Sequence, residues 1–308
     1  MYFLISTSNS FLIWHDSDPH GYRVHSGYGT YYGISYTSDR ILVAARRFSL
    51  TGSDQELDES RGSILMFDYR LRFVQELTSP FPMRDIHQIL CVGDRLFVTM
   101  TFDDSVAIYD GSEWRHWRPL TAVPRGARRE GGRHFNSLLY SSDLLYLLAH
   151  NFGPSEVFIF DAQSLELQRS LPLGNHAHNL WFRDSELLAC SSYDHGIVCQ
   201  SGGVAHTGNY PRGVVATASG QYIGISMFVE DRARRGYPDC FIAQFASNWR
   251  PKGCFCVRGE GPLGDLRCLG TADAAHPQLV GPDPDLSDLT QSSARIPIEQ
   301  CRLPIISL

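Results

Sequence analysis

The chain has 308 residues, of which 43% are hydrophobic and 19% are charged, so it can bury a sizeable core and its composition excludes intrinsic disorder. Its formal net charge of −6 argues against a nucleic-acid partner, because phosphate binding requires a basic surface. No segment approaches the roughly 20 apolar residues of a transmembrane helix, and the short apolar segment Met1–Ile5 lacks a basic flank, so we expect a cytoplasmic protein without a membrane partner.

A repeated pattern runs along the chain: a polar turn, an apolar strand, and a second apolar strand that often ends in Asp. The strand after each turn is, in chain order, Ile41–Ala45, Leu96–Met100, Leu144–Leu148, Leu187–Cys190 and Tyr222–Ile225. The apolar strands that come next in each repeat are Ser63–Asp68, Val106–Asp110, Val157–Asp161, Gly196–Cys199 and Cys240–Ala243. Turns that recur every 35 to 55 residues or so, with several short strands to a unit, are typical of β-propellers.

The two ends of the chain complete the pattern. Gly264–Gly270 is an apolar strand without followers, whereas the N-terminal strands Tyr2–Thr7, Phe11–His15 and Tyr22–His25 lack a strand before them. Pairing the two ends would close a ring without a free strand edge.

The sequence therefore predicts an all-β fold, a single β-propeller over residues 1–280 that is closed by pairing of the N- and C-terminal strands. Six blades account for the repeats, and five or seven remain open. Residues 281–308 contain Pro282, Pro284, Pro297 and Pro304. We expect them to form a C-terminal tail that packs on the propeller.

The strand that enters each repeat carries polar residues in matching positions. Aligned on the turns, one position holds Tyr32, His87, Asn136, His178 and Gly213. The position two residues earlier holds Thr30, Asp85, His134, His176 and Pro211. Residues two apart in a strand lie on one face, and the innermost strands of a propeller line its central channel. We therefore expect the four histidines to converge at the mouth of that channel.

Converging histidines indicate a metal site, because neutral imidazole is a common ligand of iron, copper and zinc. We predict that His87, His134 and His178 hold the metal and leave coordination positions open for catalysis. Four further residues are assigned to catalysis, namely His176 (a fourth ligand or a general acid–base), Tyr32, Asp85 and Asn136. Asp85 and Asn136 would fix imidazole tautomers.

The expected function is that of a metal-dependent oxidoreductase acting on a small organic substrate. Fe(II) is the first choice, and copper is an alternative that would support the same oxygen chemistry. Zinc would indicate a hydrolase or lyase instead. A metal-free propeller that binds a ligand or a protein without catalysis also remains open, since fold does not determine function. The sequence does not indicate an oligomeric state.

A basic, glycine-rich segment, Pro124–Arg133, runs directly into His134 at the expected channel entrance. Arginine pairs with carboxylates through two parallel hydrogen bonds, so this segment could hold an acidic substrate. We assign Arg133, Arg212 and Tyr31 to substrate binding. A solvated loop is the alternative for the basic segment, and core packing is the alternative for Tyr31.

Eight cysteines are scattered along the chain without a Cys-x-x-Cys pair, which disfavours a zinc ribbon or a thioredoxin-like motif. Cys254 and Cys256 flank Phe255 and therefore share one strand face. We expect the cysteines to be reduced and mostly buried.

Three segments resemble motifs of an uncharacterised bacterial β-propeller family. The segments are Asp85-Ile86-His87, His134-Phe135-Asn136-Ser137-Leu138 and His178-Asn179-Leu180-Trp181. The family motifs are Val-His-Asp-Leu, His-Leu-Asn-Gly-Leu and His-Ser-Pro-Arg-Trp, and the resemblance spans residues 26–275. It implies functional positions at His87, His134, His178 and Asn136 but no activity. The chain departs from the motifs at Gln88, where the family has Asp, and at Asn179-Leu180, where it has Ser-Pro. The expected site is also similar in general logic to that of carotenoid-cleaving oxygenases, which hold iron with histidines on a propeller axis.

Overall fold

A computed structural model describes residues 1–46, 61–121, 132–227, 239–273, 280–287, 289 and 294–302. Its regular structure is almost entirely β, with a short 3₁₀ helix at Thr101–Asp103. Within these ranges there is no helix of the length and apolar character needed to span a membrane.

Four of the sheets contain four antiparallel strands each, and consecutive strands of the chain are neighbours in every one of them. The first contains β4 (Tyr31–Tyr36), β5 (Ile41–Ala45), β6 (Ser63–Phe67) and β7 (Phe73–Leu77). The second contains β8 (Ile86–Val92), β9 (Arg95–Met100), β10 (Ser105–Tyr109) and β11 (Trp114–Trp117). The third contains β12 (Phe135–Ser141), β13 (Leu144–Ala149), β14 (Pro154–Asp161) and β15 (Leu167–Asn175). The fourth contains β16 (Ala177–Arg183), β17 (Glu186–Ser191), β18 (Gly196–Cys199) and β19 (Gly202–His206).

A nine-stranded sheet contains the remaining strands, arranged as two four-stranded units and one bridging strand. One unit contains β20 (Tyr210–Thr217), β21 (Gly220–Ser226), β22 (Cys240–Phe245) and β23 (Pro251–Val257). The other contains β24 (Leu263–Leu269), β1 (Tyr2–Thr7), β2 (Ser10–His15) and β3 (His20–Ser26). The bridging strand is β25 (Arg295–Gln300), which lies between the outer strands β23 and β3.

The two ends of the chain meet in this sheet. Strand β1 pairs antiparallel with β24, so that Tyr2 lies opposite Leu269 and Ile5 lies opposite Leu266. The predicted pairing of the N- and C-terminal strands is therefore present. Part of the predicted tail forms β25, a strand that the sequence did not predict.

The first strands of the units form a closed series. Strand β4 contacts β8, and the contacts continue through β12, β16, β20 and β24 back to β4. The molecule is therefore all-β with a propeller-like arrangement, in which these first strands are innermost.

Burial decreases outward from the inner strands because the sheets pack face to face. Strand β13 has apolar residues on both faces, and Leu145–Ala149 are buried, since a sheet lies on either side of it. The outer strand β15 exposes much of its length. Apolar clusters fill the spaces between neighbouring units, as where Trp181 of β16 packs with Ile223 of β21. This packing holds the inner strands in fixed positions.

Each inner strand contains a β-bulge near its start, where two residues lie opposite one residue of the second strand. The bulged pairs are Tyr32-Gly33, His87-Gln88, Asn136-Ser137, His178-Asn179, Arg212-Gly213 and Gly264-Asp265. The predicted alignment of the fifth repeat was wrong by one residue: Arg212, not Gly213, shares the position of His87. The turn of the fifth unit is Ala218-Ser219, and Gly220, on which the alignment was anchored, is already the first residue of β21, so the predicted positions are shifted by one.

Candidate functional site

The inner strands begin at one end of the ring, where the second strands end. The amide of Arg46, just after β5, donates to the carbonyl of Thr30 at 2.9 Å, and the amide of His150, just after β13, donates to that of His134 at 3.2 Å. We call this region the mouth. It consists of nine residues whose side chains contact one another, namely Tyr32, Arg46, Asp85, His87, His134, His150, His176, His178 and Arg212.

The four predicted histidines lie together at the mouth, joined by His150. The ring centroids of His87 and His134 are 5.2 Å apart, and those of His134 and His150 are 4.8 Å apart. His150 also lies 4.4 Å from His176 and 5.2 Å from His178, measured between ring centroids. The predicted convergence of His87, His134, His176 and His178 is therefore seen in the structure.

His150 is the residue that sequence reasoning missed. It follows the second strand of its unit, and the alignment considered only the inner strands. Arg46 and Thr101 occupy the corresponding positions after β5 and β9, since their amides also donate to the residues that precede the inner strands. Pairing each entering strand with the end of the next strand would have identified His150 and Arg46.

Three consecutive inner strands are entered through a left-handed residue. Asp85, His134 and His176 have φ angles of 53°, 54° and 49°. Non-glycine residues rarely adopt this conformation, and holding it costs about 1–3 kcal/mol unless the surroundings enforce it. Strain repeated at equivalent positions next to a histidine cluster is typical of a functional site.

The hydrogen-bond partners determine which ring nitrogen carries the proton. The Nδ1 of His87 lies 2.9 Å from the carbonyl oxygen of Asp85, which can only accept, so Nδ1 donates. The Nδ1 of His178 lies 2.9 Å from the Ser192 hydroxyl. That hydroxyl donates its one proton to the carbonyl of Pro211 at 2.9 Å, so His178 must also donate from Nδ1. Both imidazoles therefore have a bare lone pair on Nε2.

The ring proton can also be placed in His176 and His150, and it lies on different nitrogens in the two residues. His176 directs Nδ1 to the side-chain oxygen of Asn175 at 2.8 Å, which again leaves the lone pair on Nε2. In His150 the amide of Phe152 donates to Nδ1 at 3.1 Å, so the proton is on Nε2. The mouth therefore offers three imidazole acceptors and one imidazole donor.

The imidazoles are held neutral. Burial lowers the pKa of His87 to about 4, although the nearby Asp85 carboxylate acts in the opposite direction. Burial also lowers the pKa of His134, His150 and His178 well below the usual value, and the positive charge of Arg212 adds to the effect in all three. Neutral imidazole is the form that acts as a base or a ligand.

Among the described residues of the mouth, the Arg212 guanidinium is not offset by a carboxylate. Arg46 and Asp85 form an ion pair, so their charges offset each other. The Arg46 guanidinium also lies 4.9 Å from the centroid of the Tyr32 ring. Arg212 donates to the Tyr32 hydroxyl at 3.3 Å, and within the described ranges it forms no ion pair. The mouth therefore has an excess of positive charge at Arg212.

A cavity of about 10 Å³ lies just inside the mouth, with room for about one water molecule. Its lining consists of Tyr32, Gly33, His87, Gln88, Asn136, Ser137, His178, Asn179, Gly264 and Asp265. Two lining atoms, the Nε2 of His178 and the Oδ1 of Asn136, are buried without a hydrogen-bond partner among the described residues. Their side chains are 5% and 3% exposed. Such buried acceptors are costly unless a donor or an ion satisfies them.

The remaining predicted site residues have different surroundings. Tyr31 is fully buried in an apolar cluster, and its hydroxyl contacts the His25 ring at 2.9 Å, so its side chain packs in the core and not at the mouth. Arg133 adjoins His134 in sequence, but its guanidinium lies 5.2 Å from the ring centroid of Phe158. Of the predicted basic segment Pro124–Arg133, residues 124–131 lie outside the described residues.

A metal centre of His87, His134 and His178 stays a prediction. The described residues contain no group of three or more histidine, cysteine, aspartate or glutamate side chains arranged to hold a metal ion. The donor chemistry is nevertheless that of metal ligands, because His87 and His178 each donate from Nδ1 to a protein acceptor and keep Nε2 bare.

No protein-family model matches the chain, and no curated protein matches it. Solved structures do resemble it. A chain of a nidogen/laminin complex has a TM-score of 0.60 at 10% identity, over 86% of this chain and 97% of that one. Virginiamycin B lyase from Staphylococcus aureus has a TM-score of 0.45 at 10% identity, over 78% and 95% of the two chains. The nidogen/laminin likeness supports the propeller-like fold and nothing beyond the fold.

Proposed function

We propose that this chain is a six-bladed propeller and an enzyme that binds a small organic anion at its mouth and removes a proton from it. The blade count follows if the two four-stranded units of the nine-stranded sheet are blades like the four separate sheets. The closed series of six inner strands supports the same count.

The observation that carries the proposed activity is the buried Nε2 of His178. It has no hydrogen-bond partner among the described residues, and its Nδ1 must donate to Ser192. A neutral imidazole with a bare, desolvated lone pair is a general base. A proton from a bound substrate would satisfy this atom.

Arg212 supplies the second part of the proposal. It shares the inner-strand position of His87, it is half-buried, and it donates a hydrogen bond to the Tyr32 hydroxyl. A partly desolvated guanidinium that has no carboxylate partner among the described residues favours an anionic ligand, which it can hold through two parallel hydrogen bonds. The bound anion would then lie beside the imidazole bases.

The remaining mouth residues position these groups. The Asp85 carbonyl fixes the His87 tautomer, and the Asp85 carboxylate holds Arg46 against the Tyr32 ring. Tyr32 in turn contacts Arg212 and the His87 ring, whose centroid is 4.5 Å away. The narrow cavity admits only a small group, so the body of the substrate would lie at the mouth.

Anion binding is tested with acetate, benzoate, pyruvate and inorganic phosphate, each titrated at constant ionic strength and followed by thermal shift and NMR. We expect saturable binding of at least one probe and about tenfold or greater weakening in Arg212→Gln, because a charge-assisted hydrogen bond contributes about 1.5–3 kcal/mol. Arg250→Gln, which removes an exposed guanidinium, is the matched control and should bind normally. Equal binding by wild type and Arg212→Gln, or no binding of any probe, would overturn the proposal.

Proton removal has a separate readout. Pyruvate incubated in D2O with the protein should exchange its methyl protons for deuterium, and His178→Asn should abolish the exchange while retaining anion binding. Exchange that persists in His178→Asn would rule out this residue as the base.

A second candidate is the metal-dependent enzyme expected from the sequence, with iron, copper or zinc at His87, His134 and His178. It is favoured by the bare Nε2 atoms of two buried imidazoles whose Nδ1 protons are held by protein acceptors. Metal content measured on protein purified without a chelator or a histidine tag tests it. Near-stoichiometric metal that is lost in His87→Ala and His178→Ala but kept in the control His116→Ala would support it. If the protein holds no metal after reconstitution with iron, copper and zinc in turn, the metal-dependent proposal is wrong.

A further inference from the structure

Half of the cysteines cluster where the bridging strand β25 joins β23. Cys254 and Cys256 lie on β23, Cys240 lies on the neighbouring strand β22, and Cys301 follows β25 directly. All eight cysteines of the chain are free thiols, and Cys301 is the one that is not buried. The proposed activity at the mouth does not use this cluster.

The strand register places Cys254 opposite Cys301. Strands β23 and β25 are antiparallel, with Val257 opposite Ile298 and Phe255 opposite Gln300. The next pair in this register is Cys254 and Cys301, and the amide of Cys301 donates to the carbonyl of Cys254 at 2.9 Å. Side chains of directly opposite residues lie on the same face of the sheet, with Cβ atoms about 4.5–5.5 Å apart.

This geometry is compatible with a disulfide. A hydrogen-bonded antiparallel pair has Cα atoms about 5.5 Å apart, and disulfides span Cα separations of about 4.4–6.8 Å. A small approach of the two Cβ atoms, to about 3.8 Å, would complete the bond. The bond would form between strands that are already paired.

The two thiols differ in accessibility. Cys301 is partly buried but remains accessible at the surface, so an oxidant can reach it, whereas Cys254 is 2% exposed. Burial raises the pKa of Cys254, and the proximity of Cys301 raises it further. Cys254 therefore stays a protonated thiol until Cys301 is oxidised. A partly accessible thiol next to a buried resolving thiol is the arrangement of a redox-responsive pair.

We propose that Cys254 and Cys301 are a site of reversible oxidative modification, at which a peroxide converts the two thiols into a disulfide that joins β25 to β23. In the first step hydrogen peroxide oxidises the Cys301 thiol to a sulfenic acid and is reduced to water. In the second step the Cys254 sulfur attacks the Cys301 sulfur, the S–O bond breaks, and a second water leaves with the Cys254 proton. The protein loses two hydrogen atoms, and a thiol reductant restores both thiols.

The modification has a structural consequence because β25 connects the two units of the nine-stranded sheet. It pairs with β23 on one side and with β3 on the other. Oxidation would fix one end of this bridge covalently and would close a long loop of the chain, which restricts the unfolded state.

The test treats the full chain with hydrogen peroxide, blocks the remaining thiols with an alkylating reagent and maps the peptides by mass spectrometry. We expect a disulfide between Cys254 and Cys301, reversed by dithiothreitol, and six alkylated cysteines. Cys199→Ser removes a buried cysteine elsewhere and should leave the disulfide unchanged. Alkylation of all eight cysteines, or a disulfide of Cys301 with Cys256 in the wild type, would overturn the proposal.

A stability measurement separates this pair from random oxidation. Peroxide should raise the midpoint of thermal unfolding in wild type and in Cys199→Ser, and it should leave the midpoint of Cys301→Ser unchanged. An equal shift in Cys301→Ser would also contradict the proposal, because that variant lacks the accessible thiol of the pair.

Discussion

At the scale of single residues, the chemistry of the mouth depends on where a few protons lie. The Ser192 hydroxyl has one proton and donates it to Pro211, so the His178 proton must lie on Nδ1. The Asp85 carbonyl has the same effect on His87. The cost of burying the bare Nε2 of His178 is consistent with a site that stabilises a bound ligand more than the empty protein.

The neutral state of His87 makes a prediction about stability and pH. Its pKa is about 4 when folded and about 6.5 when unfolded, so the unfolded state binds more protons between these values. The stabilisation is present above about pH 6.5 and is lost as the pH falls toward 4. In chelator-treated protein, lowering the pH from 7 to 5 should reduce the free energy of unfolding in urea by about 2 kcal/mol through this residue alone.

The variant His87→Gln should lose this share of the pH dependence, because glutamine does not titrate. His206→Gln, which replaces an exposed histidine, should retain the wild-type dependence. The same loss of stability in His87→Gln as in wild type would show that His87 is not held neutral by the fold.

At the scale of the elements, the second strands were predictable and the inner bulges were not. Strands such as β13 are continuous apolar runs between turn residues, so their sequence alone identifies them. A bulge depends on how two strands pair, which has no local signature, so bulged pairs such as Arg212-Gly213 were not predicted. Strand β25 was missed because its partners β23 and β3 are distant in sequence.

The close packing of neighbouring inner strands predicts that a side chain at Gly33 would destabilise the protein. A Cβ added at Gly33 would lie 2.5 Å from the amide nitrogen of Ile89 and 2.6 Å from the Cα of Gln88. Both are backbone atoms and cannot rotate away. Gly33→Ala should therefore lower the free energy of unfolding by about 1–3 kcal/mol, measured by urea denaturation.

Gly203→Ala is the matched control, since a Cβ there meets nothing within 4 Å. It should change stability little. If Gly33→Ala were as stable as Gly203→Ala, strands β4 and β8 could not be in the described contact.

At the scale of the whole molecule, the site depends on neighbouring units of the ring that bring distant parts of the chain together. Histidines from β8, β16 and the starts of β12 and β16 meet at one end of the ring, although the sequence separates them by up to 91 positions. The repeat pattern was sufficient to predict this convergence. It was not sufficient to predict His150, or that Tyr31 turns into the core, because these depend on strand ends and on the packing between units.

The pairing of the two chain ends also predicts slow hydrogen exchange of the amides in the N-terminal strand β1. Strand β1 has a hydrogen-bonded neighbour on each side, β2 and β24, so its amides should open only with much of the molecule. In native-state hydrogen exchange, the amides of Leu4 and Ile5 should be among the slowest. Exchange as fast as in the outer strand β19 would mean that the ends are not locked together.

The most direct test of the account is the protonation of the mouth imidazoles, because both candidate activities require a bare Nε2. A long-range proton–nitrogen NMR correlation spectrum of chelator-treated protein at pH 7 distinguishes the two neutral tautomers and the cation, with His87→Gln and His178→Asn to assign the signals. The account predicts that His87 and His178 are neutral and protonated on Nδ1. Protonation of Nε2, or of both nitrogens, in these two residues would contradict it.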